Sequence, residues 1–185
     1  MRYNLGLYST KMASNQEKEM KRLNIGCGKE YLEGWTNIDI DASVKADLYC
    51  DISQGLPYPD NTFDEVLLSH VLEHMREPLK LLAEIRRVCK PGAKAVIHVP
   101  HWSNFTAFGT LYHEHYYSHL IYRDFIGFKL KKIRFNCYRR NKKFIMRLIA
   151  PVINLITNAW FTLTELLISR ILPVSEIIFT LEVEK

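Results

Sequence analysis

The chain is poor in the features that mark secreted, fibrous or membrane-spanning proteins. Its four cysteines, Cys27, Cys50, Cys89 and Cys137, are widely spaced and show no metal-ligand spacing. Each lies in or beside an apolar run, which points to buried thiols in a reducing cytosol. The N-terminus has no long apolar run of the signal-peptide type. Internal repeats and low-complexity linkers are absent. Acidic residues are scarce in one stretch: between Arg123 and Arg147 ten basic residues meet a single acid, Asp124, giving +9 there against −4 over the rest. Such a block can face phosphates or anionic lipid, or it can be a solvated strand edge protected by its lysines. No nucleic-acid motif accompanies it, and a nucleic-acid partner is not expected. A length of 185 residues and 48% hydrophobic content fit one domain, 1–185, with a core of its own.

Residues 1–20 are polar and weakly patterned, an N-terminal arm. From residue 21 strands alternate with turns or helices. Strands are expected at Lys21–Gly26, Thr36–Ile40, Ala46–Cys50, Phe63–Ser69 and Ala93–Val99. A helix is expected over Glu77–Lys90, where Leu79, Leu82, Ile85 and Cys89 recur at helical spacing and Pro91-Gly92 stops it. Strands separated in this way predict a parallel sheet with right-handed crossovers. After His101 comes an aromatic and histidine-rich connection, then strands at Gly127–Cys137 and Glu176–Val183, with an apolar helical insertion over 143–172 between them. The most informative stretch is Leu23-Asn-Ile-Gly-Cys-Gly28, an apolar strand that stops at two glycines one residue apart. Glycine has no Cβ, so a ligand can approach the backbone there.

Four blocks resemble class I S-adenosylmethionine-dependent methyltransferases, most closely the methyltransferase type-11 domain. They are the glycine stretch, Asn37-Ile-Asp39, Leu56–Asp64 with His70-Val-Leu-Glu-His74, and Glu84–Gly92. The resemblance covers about residues 21–100, the expected cofactor-binding half, and leaves 101–185 as the substrate side. It implies a Rossmann-like α/β fold, a mostly parallel seven-stranded sheet with a C-terminal antiparallel strand and the helical insertion before it. It also implies S-adenosylmethionine as cofactor. Two departures stand out. Asn24 replaces the acid that usually opens the glycine motif, and Glu30 stands in place of a third glycine. Only the nine residues Lys29–Asn37 separate Gly28 from Ile38, so the usual first helix is cut to a turn. Asp39 follows Gly26 by only thirteen residues, too close for a dinucleotide enzyme, whose ribose acid lies about twenty residues on.

On that resemblance the cofactor would be held by Asn24, Gly26, Cys27, Gly28, Asp39, Ile40, Asp51, Ile52, Ser69 and His70. Gly26 and Gly28 would let the methionine part lie on backbone. Asp39 would accept both ribose hydroxyls, since a carboxylate offers two acceptor oxygens. Asp51 would accept from the adenine amino group with Ile52 on the ring, although a turn-capping aspartate fits that position equally well. Ser69 and His70 would hold the amino group through backbone carbonyls. Methyl transfer needs mainly alignment, and a base only where the acceptor loses a proton early. Among His70, His74, His101, His113 and His115, the histidines ending the fourth and fifth strands, His70 and His101, are the expected catalytic pair. Glu73 could orient a histidine or simply start the helix. The spacing of His113, His115 and His119 admits zinc, but no cysteine or acid cluster joins it in sequence, and no metal is expected.

In the insertion, Arg147, Pro151, Asn154, Asn158, Thr162, Glu165 and Ser169 draw one narrow polar stripe on an otherwise apolar helix. Core packing with a homodimer contact comes first, and a peripheral membrane contact or a lid over the acceptor site follows. The overall expectation is a cytoplasmic methyltransferase, membrane-associated if the helix meets lipid, acting on a small-molecule or lipid-linked acceptor. The alternative is a non-catalytic methyltransferase-like module that binds a protein partner or membrane through this helix.

Overall fold

The computed structural model describes residues 19–104, 113–136, 144–160, 164 and 174–185, with the backbone alone for 144–150. Seven strands form one sheet: β1 (Arg22–Ile25), β2 (Thr36–Asp39), β3 (Leu48–Tyr49), β4 (Phe63–Ser69), β5 (Cys89–Pro100), β6 (Phe128–Asn136) and β7 (Glu176–Val183). Their order is β3-β2-β1-β4-β5-β7-β6. The first five are mutually parallel, and β7 runs antiparallel to both β5 and β6. The expected architecture and all seven strands are therefore present, with ends shifted by a few residues. Cys137 and most of the N-terminal arm lie outside the described residues.

Alternation sets which side chains enter the core. Phe63, Val66 and Leu68 of β4, Ala93, Ala95, Ile97 and Val99 of β5, and Ile177, Phe179, Leu181 and Val183 of β7 are all buried. Helix α1 (Pro78–Val88) covers the sheet with Leu81, Leu82, Ile85 and Val88. Leu79, expected on the buried face, is exposed. Cys89 belongs to β5, not to the helix, because the backbone turns extended at that residue. Pro91-Gly92 sits within β5 at an irregularity of the β4–β5 register rather than in a loop after the helix. Glu84 and Arg87 tie α1 to the loop before β4: Arg87 donates to Glu84, Asp60 and the carbonyls of Leu56 and Tyr58.

The β1–β2 connection contains no helix. Its backbone is instead satisfied by side chains. The fully buried Asn37 accepts from Asn24 Nδ2 (3.0 Å) and Leu32 N (2.9 Å), and its own Nδ2 donates to the carbonyls of Leu32 and Trp35 (both 2.9 Å). Asn24 also donates to the carbonyl of Glu30 at 2.9 Å. These bonds make a compact loop possible where a helix would otherwise satisfy its own backbone.

Helix α2 (Phe144–Ala159) supplies the described part of the insertion and packs on β6, an edge strand. Its orientation corrects the core reading. Asn158 faces the sheet and pairs with the main chain of Phe135, accepting from its N–H at 2.7 Å and donating to its C=O at 2.8 Å. Val152, Leu155, Ile156 and Trp160 lie exposed instead. Asn154 and Asn158 of the polar stripe meet this sheet edge, while the four exposed apolar side chains point outward. No helix among the described residues is long and apolar enough to cross a membrane.

Candidate active site

The strand order reverses direction between β1 and β4, which opens a crevice beyond their C-terminal ends. A cavity of about 500 Å³ lies there. Its walls come from the ends of four strands: Gly26 after β1, Asp39 and Ile40 at β2, Cys50 to Ser53 after β3, and His70 and Val71 after β4. His74, Met75, Arg76 and Glu114 close the remaining side.

Gly26 is required by shape. Its φ is +63°, and a Cβ built on it would meet Val71 Cγ2 at 2.4 Å. The same Val71 side chain lines the cavity. Gly28 also has a positive φ, +49°, but nothing lies within 4 Å of the place its Cβ would take. Its N–H donates to Asp39 Oδ2 at 2.7 Å, while Asp41 N donates to Asp39 Oδ1 at 2.9 Å. Both oxygens of Asp39 are thereby oriented, and each keeps a second lone pair for a ligand. Asp51 accepts from Ser53 N at 2.9 Å and caps the 3₁₀ turn Ile52–Gln54. Hydrogen bonds from Ser53 hold its carboxyl below the usual range. The capping role is thus filled, and Asp51 still borders the cavity. Burial raises the thiol of Cys50, keeping it protonated at neutral pH.

His70 occupies the left-handed region, φ +55°, which non-glycine residues rarely adopt outside constrained sites. Its Nδ1 lies 3.1 Å from Glu73 Oε1 and its Nε2 2.9 Å from Glu176 Oε2. Both carboxylates are buried, and Glu176 also accepts from Asn136 Nδ2 at 2.8 Å. One carboxylate faces each ring nitrogen, so the two contacts together fix the orientation of the imidazole. The ring is clamped between β4 and β7.

Six of the ten expected cofactor residues line the cavity: Gly26, Asp39, Ile40, Asp51, Ile52 and His70. Asn24, Cys27, Gly28 and Ser69 are not in its wall. Asn24 serves the β1–β2 loop, and Gly28 acts through Asp39. Cys27 is buried, and its thiol donates to the carbonyl of Lys45. Ser69 pairs with His98 in the sheet. His101 departs furthest from expectation. It is fully buried, bonds Ser103 Oγ at 2.8 Å and packs against Trp102 and Phe135, away from the cavity. A histidine just after β5 reads as a cleft residue in sequence, but the bridge from His101 to Tyr117 covers it. Sequence reasoning also missed Glu176, the acid that opens β7, because its partner His70 lies 106 residues away.

The cavity suits S-adenosylmethionine in donor chemistry. An oriented carboxylate with spare lone pairs matches a vicinal diol, the apolar Ile40 and Ile52 match the faces of a purine, and the volume falls within the usual range for small-molecule sites.

The family described as methyltransferase domain matches residues 23–97. A demethylmenaquinone methyltransferase of Renibacterium salmoninarum is 44% identical over 61 residues, 33% of this chain and 26% of that protein. A ubiquinone/menaquinone biosynthesis C-methyltransferase of Burkholderia mallei is 43% identical over 54 residues, 29% of this chain and 22% of that protein. The matched segment thus spans about a quarter of the length of these curated relatives. The crystal structure of a SAM-dependent methyltransferase from Archaeoglobus fulgidus superposes with a TM-score of 0.64 at 21% identity, over 89% of this chain and 87% of that one. Residues 23–97 match the methyltransferase domain family, and the chain shares its fold with the solved S-adenosylmethionine-dependent methyltransferase.

Proposed function

We propose that this chain transfers a methyl group from S-adenosylmethionine to a small or lipid-linked acceptor. The observation that carries the reading is the convergence of Gly26, Asp39, Ile40, Ile52 and His70 on one cavity at the strand-order reversal. The names of the relatives suggest a quinone-type ring as the acceptor class.

S-adenosylmethionine supplies a methyl already activated on a sulfonium. The chain's own residues then have to bind and align. Asp39 accepts from the ribose hydroxyls, and its two backbone donors prevent the carboxylate from rotating away. Ile40 and Ile52 pack on the adenine. Val71, fitted against Gly26, shapes the wall beneath the methionine part. His70 is a positioning residue rather than a base, because both nitrogens face carboxylates; its clamp fixes the turn that carries Val71. Alignment of this kind supplies much of the rate in a two-reactant transfer.

Calorimetry with S-adenosylhomocysteine tests the reading. The chain binds it with micromolar-range affinity typical of a cofactor site, and Asp39→Ala weakens it by about 100-fold, as loss of a charge-assisted pair of hydrogen bonds predicts. A folded wild-type sample that binds nothing ends the enzymatic reading.

The outward face of α2 favours a second reading, a non-catalytic module docking through Leu155 and Trp160. Docking on lipid predicts co-flotation with anionic vesicles, and self-association predicts a dimer in sedimentation. Cofactor binding with neither behaviour leaves the enzyme alone.

A further inference from the structure

The 3₁₀ turn Leu72–His74 carries Glu73, whose carboxylate is fully buried. His70 Nδ1 occupies one oxygen, Oε1, at 3.1 Å. The other, Oε2, is buried and makes no hydrogen bond among the described residues. A buried carboxylate oxygen without a partner is costly and calls for an explanation. Beside it stand two imidazoles. His74 follows in sequence, and His113 arrives from the histidine-rich connection. One ligand atom from each of Glu73, His74 and His113 lies within 4.8 Å of the others. The two rings meet edge to face, with centroids 4.7 Å apart.

The two segments are held together without help from these side chains. Glu114 N donates to the carbonyl of Glu73 at 2.8 Å, and Tyr117 Oη donates to the carbonyl of Leu72 at 3.1 Å. The clamp therefore fixes both halves of the cluster. A metal at ~2.1 Å from each ligand separates neighbouring ligand atoms by ~3 Å, so closure asks for side-chain adjustment at the exposed His74 and half-buried His113.

We propose that Glu73, His74 and His113 bind one divalent transition-metal ion, of the zinc, cobalt or manganese class. Two imidazoles and a carboxylate suit these ions, and three protein ligands leave positions open for a ligand oxygen. His70 Nδ1 pairs with Glu73 Oε1 and so orients the carboxylate, as partners of metal ligands commonly do. His74 and Glu114 also border the cavity that holds Gly26 and Asp39, so the ion would stand beside that cavity. If the methyl-transfer reading holds, on which this last step rests, the ion binds the acceptor oxygen and eases loss of its proton to water. The acceptor anion then attacks the methyl carbon as the S–C bond breaks, leaving a neutral thioether. The spacing of His113, His115 and His119 is not the ligand set: His115 lies beside Tyr117, and His119 packs on Phe135.

The test uses the full chain stripped of metal and titrated with cobalt chloride, read by visible ligand-field absorption. One cobalt per chain is expected. His74→Asn and His113→Asn should each weaken binding by about 100-fold or more, while His119→Asn leaves it unchanged and thermal melts show all three folded. No absorption band in the wild type, a band untouched by both His74→Asn and His113→Asn, or one abolished by His119→Asn overturns the site. Calorimetry with S-adenosylhomocysteine on the same stripped sample separates the two readings. Cofactor binding without cobalt binding removes only the metal site, and cobalt binding without cofactor binding removes only the methyl-transfer step.

Discussion

The β1–β2 connection and helix α2 both lean on asparagines that pair with backbone, yet they present opposite surfaces. In the connection, Asn24 and Asn37 satisfy loop backbone beneath the core, and the bonded loop stands in for a helix. In α2, Asn158 satisfies edge-strand backbone, which turns Leu155 and Trp160 outward. The same amide chemistry closes one end of the sheet and leaves an apolar surface at the other. Asn37 and Asn158 mark where backbone needs partners, not where water is.

The comparison breaks most visibly at Asn37. Asn37→Ala removes several buried bonds at once and leaves the Trp35 carbonyl without the amide it accepts from and that of Leu32 with the Trp35 N–H alone, and we expect a loss of about 3–4 kcal/mol in urea unfolding. A loss below about 1 kcal/mol would mean that the loop is held by something else. Gly26→Ala comes next: a left-handed φ and the encounter with Val71 should cost about 2–3 kcal/mol and narrow the cavity. Gly28→Ala, with open space around it, should cost only about 1 kcal/mol. Equal costs at the two glycines would contradict the assigned close approach.

Glu84 sharpens the picture on the α1 side. Hydrogen bonds from Arg87 lower its carboxyl to about 2. A carboxyl depressed on folding stabilises the protein above its unfolded value and loses that contribution as pH falls from the ordinary carboxylate range to about 2. Partial exposure screens the pair, so Glu84→Gln should cost about 1–2 kcal/mol at neutral pH. The variant's acid-unfolding curve should be flatter over that window, and an unchanged slope would refute the linkage. The smallest effect belongs to the exposed face. Leu155→Glu should change stability by no more than about 0.5 kcal/mol, whereas Asn158→Ala should cost about 1–2 kcal/mol. The reverse order would put the apolar face inside.

Most of the sheet was legible because its strands alternate or run apolar between turn residues, as Phe63–Ser69 and Glu176–Val183 do. That Gly26, Asp39, Ile40, Asp51 and Ile52 gather at one cavity was legible because strand ends converge there and short spacings fix them. The clamp on His70 was not, since Glu176 reaches it across 106 residues and no local pattern records that distance. His101 was misplaced because position after a strand says nothing about what later covers it. The orientation of α2 was hidden because a polar stripe reads the same whether it meets water or an unpaired strand edge.

The most direct measurement of the central claim is an amide NMR titration of the full chain with S-adenosylhomocysteine. The account predicts that the largest shifts fall at Gly26, Gly28, Ile40, Ile52 and Val71, the backbone around the ends of β1, β2, β3 and β4. Shifts confined to α2 and β6, or none at saturating ligand, would contradict it.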